Sequence, residues 1–177
     1  IDFLIDDSPK NYDKWVAAGR DEKEYILLSD CISSLTDYLE LERFRLGEQF
    51  DFTIEVNDNV NSDKEKTIPF MIQPFVENAI QHGIKDLEIK GSILVLFEIE
   101  GHYLKVTIED NGIGRKASKR LKTKNKLLQQ SHGIKIIRQR LKLHNNIKIG
   151  KDVKIEDLYN ETNRPAGTKV IVLIKRI

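Results

Sequence analysis

In the run Gln73-Pro74-Phe75-Val76-Glu77-Asn78-Ala79-Ile80-Gln81-His82-Gly83, Asn78 and His82 stand four residues apart. On a helix that spacing puts both on one face, with Glu77 and Gln81 beside them, while Phe75, Val76, Ala79 and Ile80 make the packing side. An asparagine offers a neutral carbonyl oxygen that suits Mg²⁺ while the ion keeps its waters and bridges nucleotide phosphates. Taken alone, the same polar edge is an ordinary solvated helix face.

Three further patches carry chemistry. Asp110-Asn111-Gly112-Ile113-Gly114 follows the alternating run Tyr103–Glu109. A carboxylate at a strand end accepts hydrogen bonds from donors such as the exocyclic amine of adenine, and the glycines allow a turn and close approach of a ligand. The same residues also make common turns. Ser131-His132-Gly133-Ile134 is placed to open a helix, whose unsatisfied N–H groups bind phosphate. Gly167-Thr168 opens the last strand, where the hydroxyl either meets a ligand or satisfies the backbone. Between Arg115 and Lys126 stand seven basic residues and no acidic one, a segment that either attracts a triphosphate or is simply a solvated basic loop.

The elements that position these groups follow from periodicity. Ser8-Pro9 starts a helix with Tyr12, Trp15 and Val16 on one face, ended by Gly19. A second helix runs from about Ser29 to Leu46, with Ile32, Leu35, Tyr38, Leu39, Leu41 and Phe44 at helical spacing and Gly47 closing it. From Phe50 the period becomes two through Phe52, Ile54 and Val56, which predicts a half-buried strand. Pro69 is expected to open a helix through Gln81, with Gly83 ending it. Strands are predicted at Ser92–Glu100 and Tyr103–Asp110, a helix at about Gly133–Leu143, and strands at about Ile147–Ile155 and Thr168–Ile174, the last two joined by a loop holding Pro165 and Gly167. Too few helices separate the strands for a doubly wound parallel sheet. The expected class is α+β, a two-layer α/β sandwich whose mixed sheet is covered on one face by helices and preceded by N-terminal helices.

Composition narrows the setting. The chain has 177 residues, 40% of them hydrophobic, and its 29 basic and 28 acidic residues nearly cancel. Nothing in that balance, and no aromatic interleaving, points to nucleic acid. The single cysteine, Cys31, forms no intramolecular disulfide and sits among Leu28, Ile32 and Leu35 as a small core residue. No apolar run approaches the roughly 20 residues that span a bilayer. The start at Ile1, inside Ile-Asp-Phe-Leu-Ile, suggests an element begun upstream.

In their order and settings the four patches together resemble the GHKL ATPase superfamily, which spans gyrase, heat-shock chaperone, mismatch-repair and histidine-kinase domains. The first resembles the N box, and Asp110-Gly112-Gly114, Gly133 and Gly167-Thr168 resemble the three glycine boxes. Tyr38-Leu39-Glu40-Leu41-Glu42-Arg43-Phe44-Arg45, followed by Ile72 to Gly83, is similar to LytS-type sensor histidine kinases over nearly the whole chain. The resemblance implies a Bergerat ATP-binding fold over residues 48–177, after a helical segment 1–47 left from the dimerisation and phosphoacceptor region. It also implies ATP and Mg²⁺ as cofactors, and transfer of the γ-phosphoryl to a histidine on the protein's own dimerisation helix. The acceptor motif lies upstream in that family, and none of His82, His102, His132 or His144 sits in such a pattern. A response regulator, a homodimeric parent and a cytoplasmic domain of an inner-membrane protein complete the expectation.

Carried over residue by residue, Asn78 would hold Mg²⁺ and phosphate, and Gln81 and His82 would face the phosphates. Asp110 would take the adenine amino group, with Gly112, Ile113 and Gly114 in the base pocket. Ser131, His132 and Gly133 would stand near the phosphates at the end of the lid, and Gly167 and Thr168 would line the base pocket. Glu77 is the carboxylate that would assist proton transfer from an incoming histidine or hold a metal-bound water. Ser131 stands where the second glycine box has a glycine, Ile136 where it often has an asparagine, and Pro74 where hydrolysing members carry a water-polarising glutamate. The alternative is a degenerate scaffold that dimerises without kinase activity, against which Asn78, Asp110, Gly112 and Gly114 argue.

Overall fold

The structure is a computed structural model that describes residues 25–85, 87–115, 124–145 and 152–177, with 124–133 described by backbone alone. The chain order is β1 (Ile26–Leu27), α1 (Leu28–Arg45), β2 (Phe50–Val56), β3 (Lys66–Thr67), α2 (Gln73–Ala79), β4 (Gly91–Glu100), β5 (Tyr103–Asp110), α3 (Lys124–Asn145), β6 (Val153–Tyr159) and β7 (Pro165–Lys175). A π turn, Ile80–Ile84, continues α2. The helix expected at 8–19 lies outside the described residues.

Alternation dictates the sheet. Five strands pair in the order β2-β4-β5-β7-β6; β2 runs parallel to β4 and the other pairs are antiparallel. One face carries Phe50, Ile93, Val95, Phe97, Leu104, Val106, Ile108, Val170, Val172 and Ile174, all buried. It packs with Leu35 and Leu39 of α1, Phe75, Val76, Ala79 and Ile80 of α2, and Ile137 and Leu141 of α3. Each such side chain contributes about 1.5–3 kcal/mol on leaving water. On the opposite face Lys105 pairs with Glu98 and Glu100, and Lys169 with Glu109. The expected α+β class and one-sided helical layer hold. Cys31 is half-buried against this core, and burial pushes its thiol up to about 11, as suits an inert side chain. Among the described residues no helix is long and apolar enough to cross a membrane.

Several boundaries differ from expectation. Helix α2 opens at Gln73 rather than Pro69, because Phe70 takes φ 59° and no helix passes through a left-handed residue. Pro74 then occupies the first turn, where a missing N–H costs nothing. Gly83 does not end the helix; Lys85 N–H reaches the Ile80 carbonyl at 2.9 Å, a five-residue step. Helix α3 begins at Lys124, nine residues before Gly133, since residues 124–132 hold neither proline nor glycine and one interior glycine costs only about 1 kcal/mol. Pro165 and Gly167 belong to β7 and not to a loop; Pro165 stands first in the strand, opposite an irregular register at Leu158 and Tyr159, where proline is tolerated. Strand β6 also lies later than Ile147–Ile155. A two-stranded β1–β3 pair, unforeseen, straps the entry to α1.

Candidate functional site

Asp110 ends β5 at the sheet's helical face and is 5% exposed. Its Oδ1 accepts the Gly112 N–H at 2.9 Å, and the Thr168 backbone amide also donates to the carboxylate. Burial nevertheless dominates, and with a smaller push from Glu109 it raises the carboxyl to about 6 against those two amides. A carboxylate kept this dry, at the edge of an apolar layer, is set to receive a further donor.

The backbone around it leaves no room for side chains. A Cβ at Gly112 would stand 2.3 Å from Gly83 Cα, one at Gly83 would stand 2.8 Å from Asp110 Oδ1, and one at Gly167 would stand 1.8 Å from the Asp110 carbonyl oxygen. Gly167 also has φ 134°, open to glycine alone among ordinary residues. The Ile113 N–H donates to the Gly83 carbonyl at 3.1 Å, tying the turn to the end of α2. Gly114, at φ 77°, packs on Pro165. Asn111 pins the same turn to β4: its Oδ1 accepts Ser92 N–H at 2.7 Å and its Nδ2 donates to Lys90 O at 3.3 Å.

On α2, Asn78 and His82 are half-buried and Gln81 is exposed. The Asn78 Nδ2 donates to the Pro74 carbonyl at 2.7 Å. Because that carbonyl only accepts, the amide's oxygen is the end turned away from it. Glu77 turns elsewhere: Gln73 Nε2 donates to its Oε1 at 2.9 Å, and its charge, after burial, helps push the Tyr38 hydroxyl up. Glu77 is thus drawn toward Gln73 and α1, on another side of the helix from Asn78.

The structure therefore brings together Asp110, Gly112, Ile113, Gly114, Gly167 and Thr168 with the C-terminal end of the helix carrying Asn78, Gln81 and His82. Ser131, His132 and Gly133 fall within α3 and do not open it, a correction to the expected phosphate-facing helix start; their side chains lie outside the described residues. Helix α3 is fastened to the head of α2, where Arg140 Nη2 donates to the Pro69 carbonyl at 3.2 Å. Most of the basic segment is likewise outside the description, but Arg115 is not: its guanidinium holds both oxygens of Asp157, at 2.6 and 3.0 Å, and so anchors the segment's start to β6. Sequence reasoning took Gly83 for a helix stop and gave Asn111 no task. Its signal for Gly83 was adjacency to His82; for Asn111 the cross-strand bonds had none. A groove of about 330 Å³ at the strand ends, lined by Thr53, Ser92, Leu94 and Glu109 among others, touches Asp110 and Asn111 but includes neither Asn78 nor His82.

The family model described as histidine kinase-, DNA gyrase B- and HSP90-like ATPase matches residues 63–176, well over half of the chain, and the chain belongs to that family. Within it the chain is similar to LytS-type sensor histidine kinases. It is 32% identical over 88 residues to the sensor histidine kinase BtsS of Escherichia coli K12, covering 50% of this chain and 15% of that protein. It is 32% identical over 82 residues to the sensor protein LytS of Streptococcus agalactiae serotype V, covering 46% and 14%. The matched stretch is a small part of either relative's length. In fold, it is similar to the mycobacterial sensor histidine kinase MprB, with TM-score 0.55, 15% identity and coverage of 87% of this chain and all of that one. A nucleotide-free catalytic domain of the histidine kinase ThkA gives TM-score 0.55, 18% identity and coverage of 86% and 94%.

Proposed function

We propose that this chain is the catalytic half of a two-component sensor histidine kinase, binding MgATP and passing its γ-phosphoryl group to a histidine on an upstream dimerisation helix. The observation that carries the reading is the dry Asp110 carboxylate, framed by the amides of Gly112 and Thr168 and approached closely by Gly83. Asp110 accepts the adenine amino group, and Gly112, Ile113, Gly114, Gly167 and Thr168 shape the pocket for the base. Asn78 contributes its amide oxygen to Mg²⁺, with Gln81 and His82 toward the phosphates and Ser131, His132 and Gly133 on the adjoining helix. Among the described residues no three His, Cys, Asp or Glu side chains cluster as a metal site. One neutral amide oxygen fits an ion held chiefly by water and phosphate, which when bound neutralises phosphoryl charge.

Transfer forms a bond between an imidazole nitrogen and the γ-phosphorus and breaks the bond from that phosphorus to the bridging oxygen, which leaves with ADP. The chain's task is to position and neutralise, without a covalent nucleophile of its own. Glu77, drawn toward Gln73 and α1 and not toward Asn78, is the carboxylate that takes the proton of an imidazole arriving over α1. Residues 1–47 belong to the helical module and 48–177 to the catalytic domain, in a homodimeric parent anchored in the inner membrane that relays phosphate to a response regulator. Titration with MgATP tests the reading: saturable binding is expected, weakened at least about tenfold by Asp110→Ala, and no saturable binding by the wild-type chain would favour a scaffold.

A further inference from the structure

The chain bends into a π turn at Ile80–Ile84, and such turns cluster where a helix must place a residue off its regular path. Here the displaced residue is Gly83, which is buried. It touches the base-side turn three ways: its carbonyl accepts the Ile113 N–H at 3.1 Å, its Cα fills the space a Gly112 side chain would need, and its own missing Cβ leaves room for Asp110 Oδ1. His82 is its neighbour and Asn78 lies just over one turn away on the same helix. The helix that carries the metal-side and phosphate-side groups therefore meets the Asp110 turn at a glycine-on-glycine contact.

We infer that Gly83 is a positioning residue that registers the Asn78–His82 edge of α2 against the Asp110–Gly112 turn, and so sets the spacing between the base and phosphate ends of the nucleotide site proposed above. Gly83 touches no ligand in this role. A methyl group there meets Asp110 Oδ1 at 2.8 Å, and relief requires either that the carboxylate leave the Gly112 N–H or that the turn move off the helix. Either movement misplaces the group that reads the base while leaving Asn78 and His82 on their helix.

The test is a double-mutant cycle on the whole chain with Gly83→Ala, Asp110→Ala and the pair, measuring thermal unfolding and affinity for MgATP and for inorganic tripolyphosphate with Mg²⁺. Gly83→Ala is expected to weaken MgATP by about tenfold and tripolyphosphate by less than about twofold, and to cost less than about twofold for MgATP once Asp110 is alanine. Equal losses for the two ligands, or the same MgATP factor in both backgrounds, would overturn the inference. If wild type binds neither ligand, the nucleotide reading falls and the unfolding cycle still decides the contact. Gly83→Ala should lower the midpoint in wild type and hardly at all beside Asp110→Ala, whereas equal drops refute it. Should Gly83→Ala fail to fold, a folded pair supports the contact and an unfolded pair sinks it.

Discussion

At Asp110 binding and stability pull in opposite directions. The carboxyl is raised from 3.8 to about 6, chiefly by burial. A raised acid binds its proton more tightly folded than unfolded, so its contribution to stability is full below pH 3.8 and is lost as pH rises through about 6. The loss amounts to about 3 kcal/mol at most. The nucleotide-free chain should therefore lose stability between pH 4 and 7, and Asp110→Asn, which never ionises, should flatten that part of the profile. Denaturant titrations across the range check this, and an unchanged slope in the variant would remove Asp110 as its source. Affinity for MgATP has the opposite sign. The ionised carboxylate is the stronger acceptor for the adenine amine, so binding should tighten as pH rises from 5 to 7, with proton release that calorimetry in buffers of different ionisation heat would record; no release would mean that the base is read elsewhere.

Pairing between elements explains both what the residues announced and what they hid. Alternation in Phe50–Val56, Tyr103–Asp110 and Thr168–Ile174, and the helical spacing in α1, gave the layers because one face of each must be buried. The π turn and the strap β1–β3 were not legible, since each depends on contacts with a distant segment, and the true start of α3 was hidden by the glycine inside the helix. The same holds at the candidate site: Asp110, Gly112 and Gly167 carried a visible pattern, whereas the task of Gly83 appears only once α2 lies on the turn. Asn145 is a comparable case. Strand β6 stops pairing with β7 at Val172, and beyond it Asn145 acts as a substitute strand, its Nδ2 donating to Leu173 O at 2.7 Å and its Oδ1 accepting Lys175 N–H at 2.8 Å. Asn145→Ala orphans both and should cost about 1–3 kcal/mol in an equilibrium unfolding experiment; a loss below a few tenths would show that water replaces the amide. At Gly91 a Cβ would meet Ile84 Cγ2 at 2.6 Å and Phe50 Cβ at 3.1 Å. Gly91→Ala should cost about 1–3 kcal/mol by overpacking, and an unaltered midpoint would mean that the π turn yields.

The whole chain, read as a kinase half, should hold ATP far longer than it consumes it. Hydrolysis needs a base that polarises a water in line with the γ-phosphorus, an effect worth about 10²- to 10⁴-fold. In the hydrolysing relatives that base projects from the helix one turn before the asparagine, and here the position is Pro74, whose carbonyl is already engaged by Asn78. Glu77 is held by Gln73 and lies toward Tyr38, placed for a group arriving over α1 more than for a free water. Three of the four histidines have described side chains, and each has another place: His144 bonds Tyr25 and the Lys175 carbonyl, His102 sits in the β4–β5 turn, and His82 stands on the helix edge proposed to face the nucleotide. With radiolabelled ATP, release of phosphate should be slower than in a dedicated ATPase by roughly the lost base's factor, and no acid-labile label should remain on the chain. Supplying the acceptor-bearing helix in trans should place label on that helix alone and lower it when Glu77 is changed to Gln. Rapid hydrolysis, or label on His82 or His144, would mean that the chain activates a nucleophile without the upstream helix.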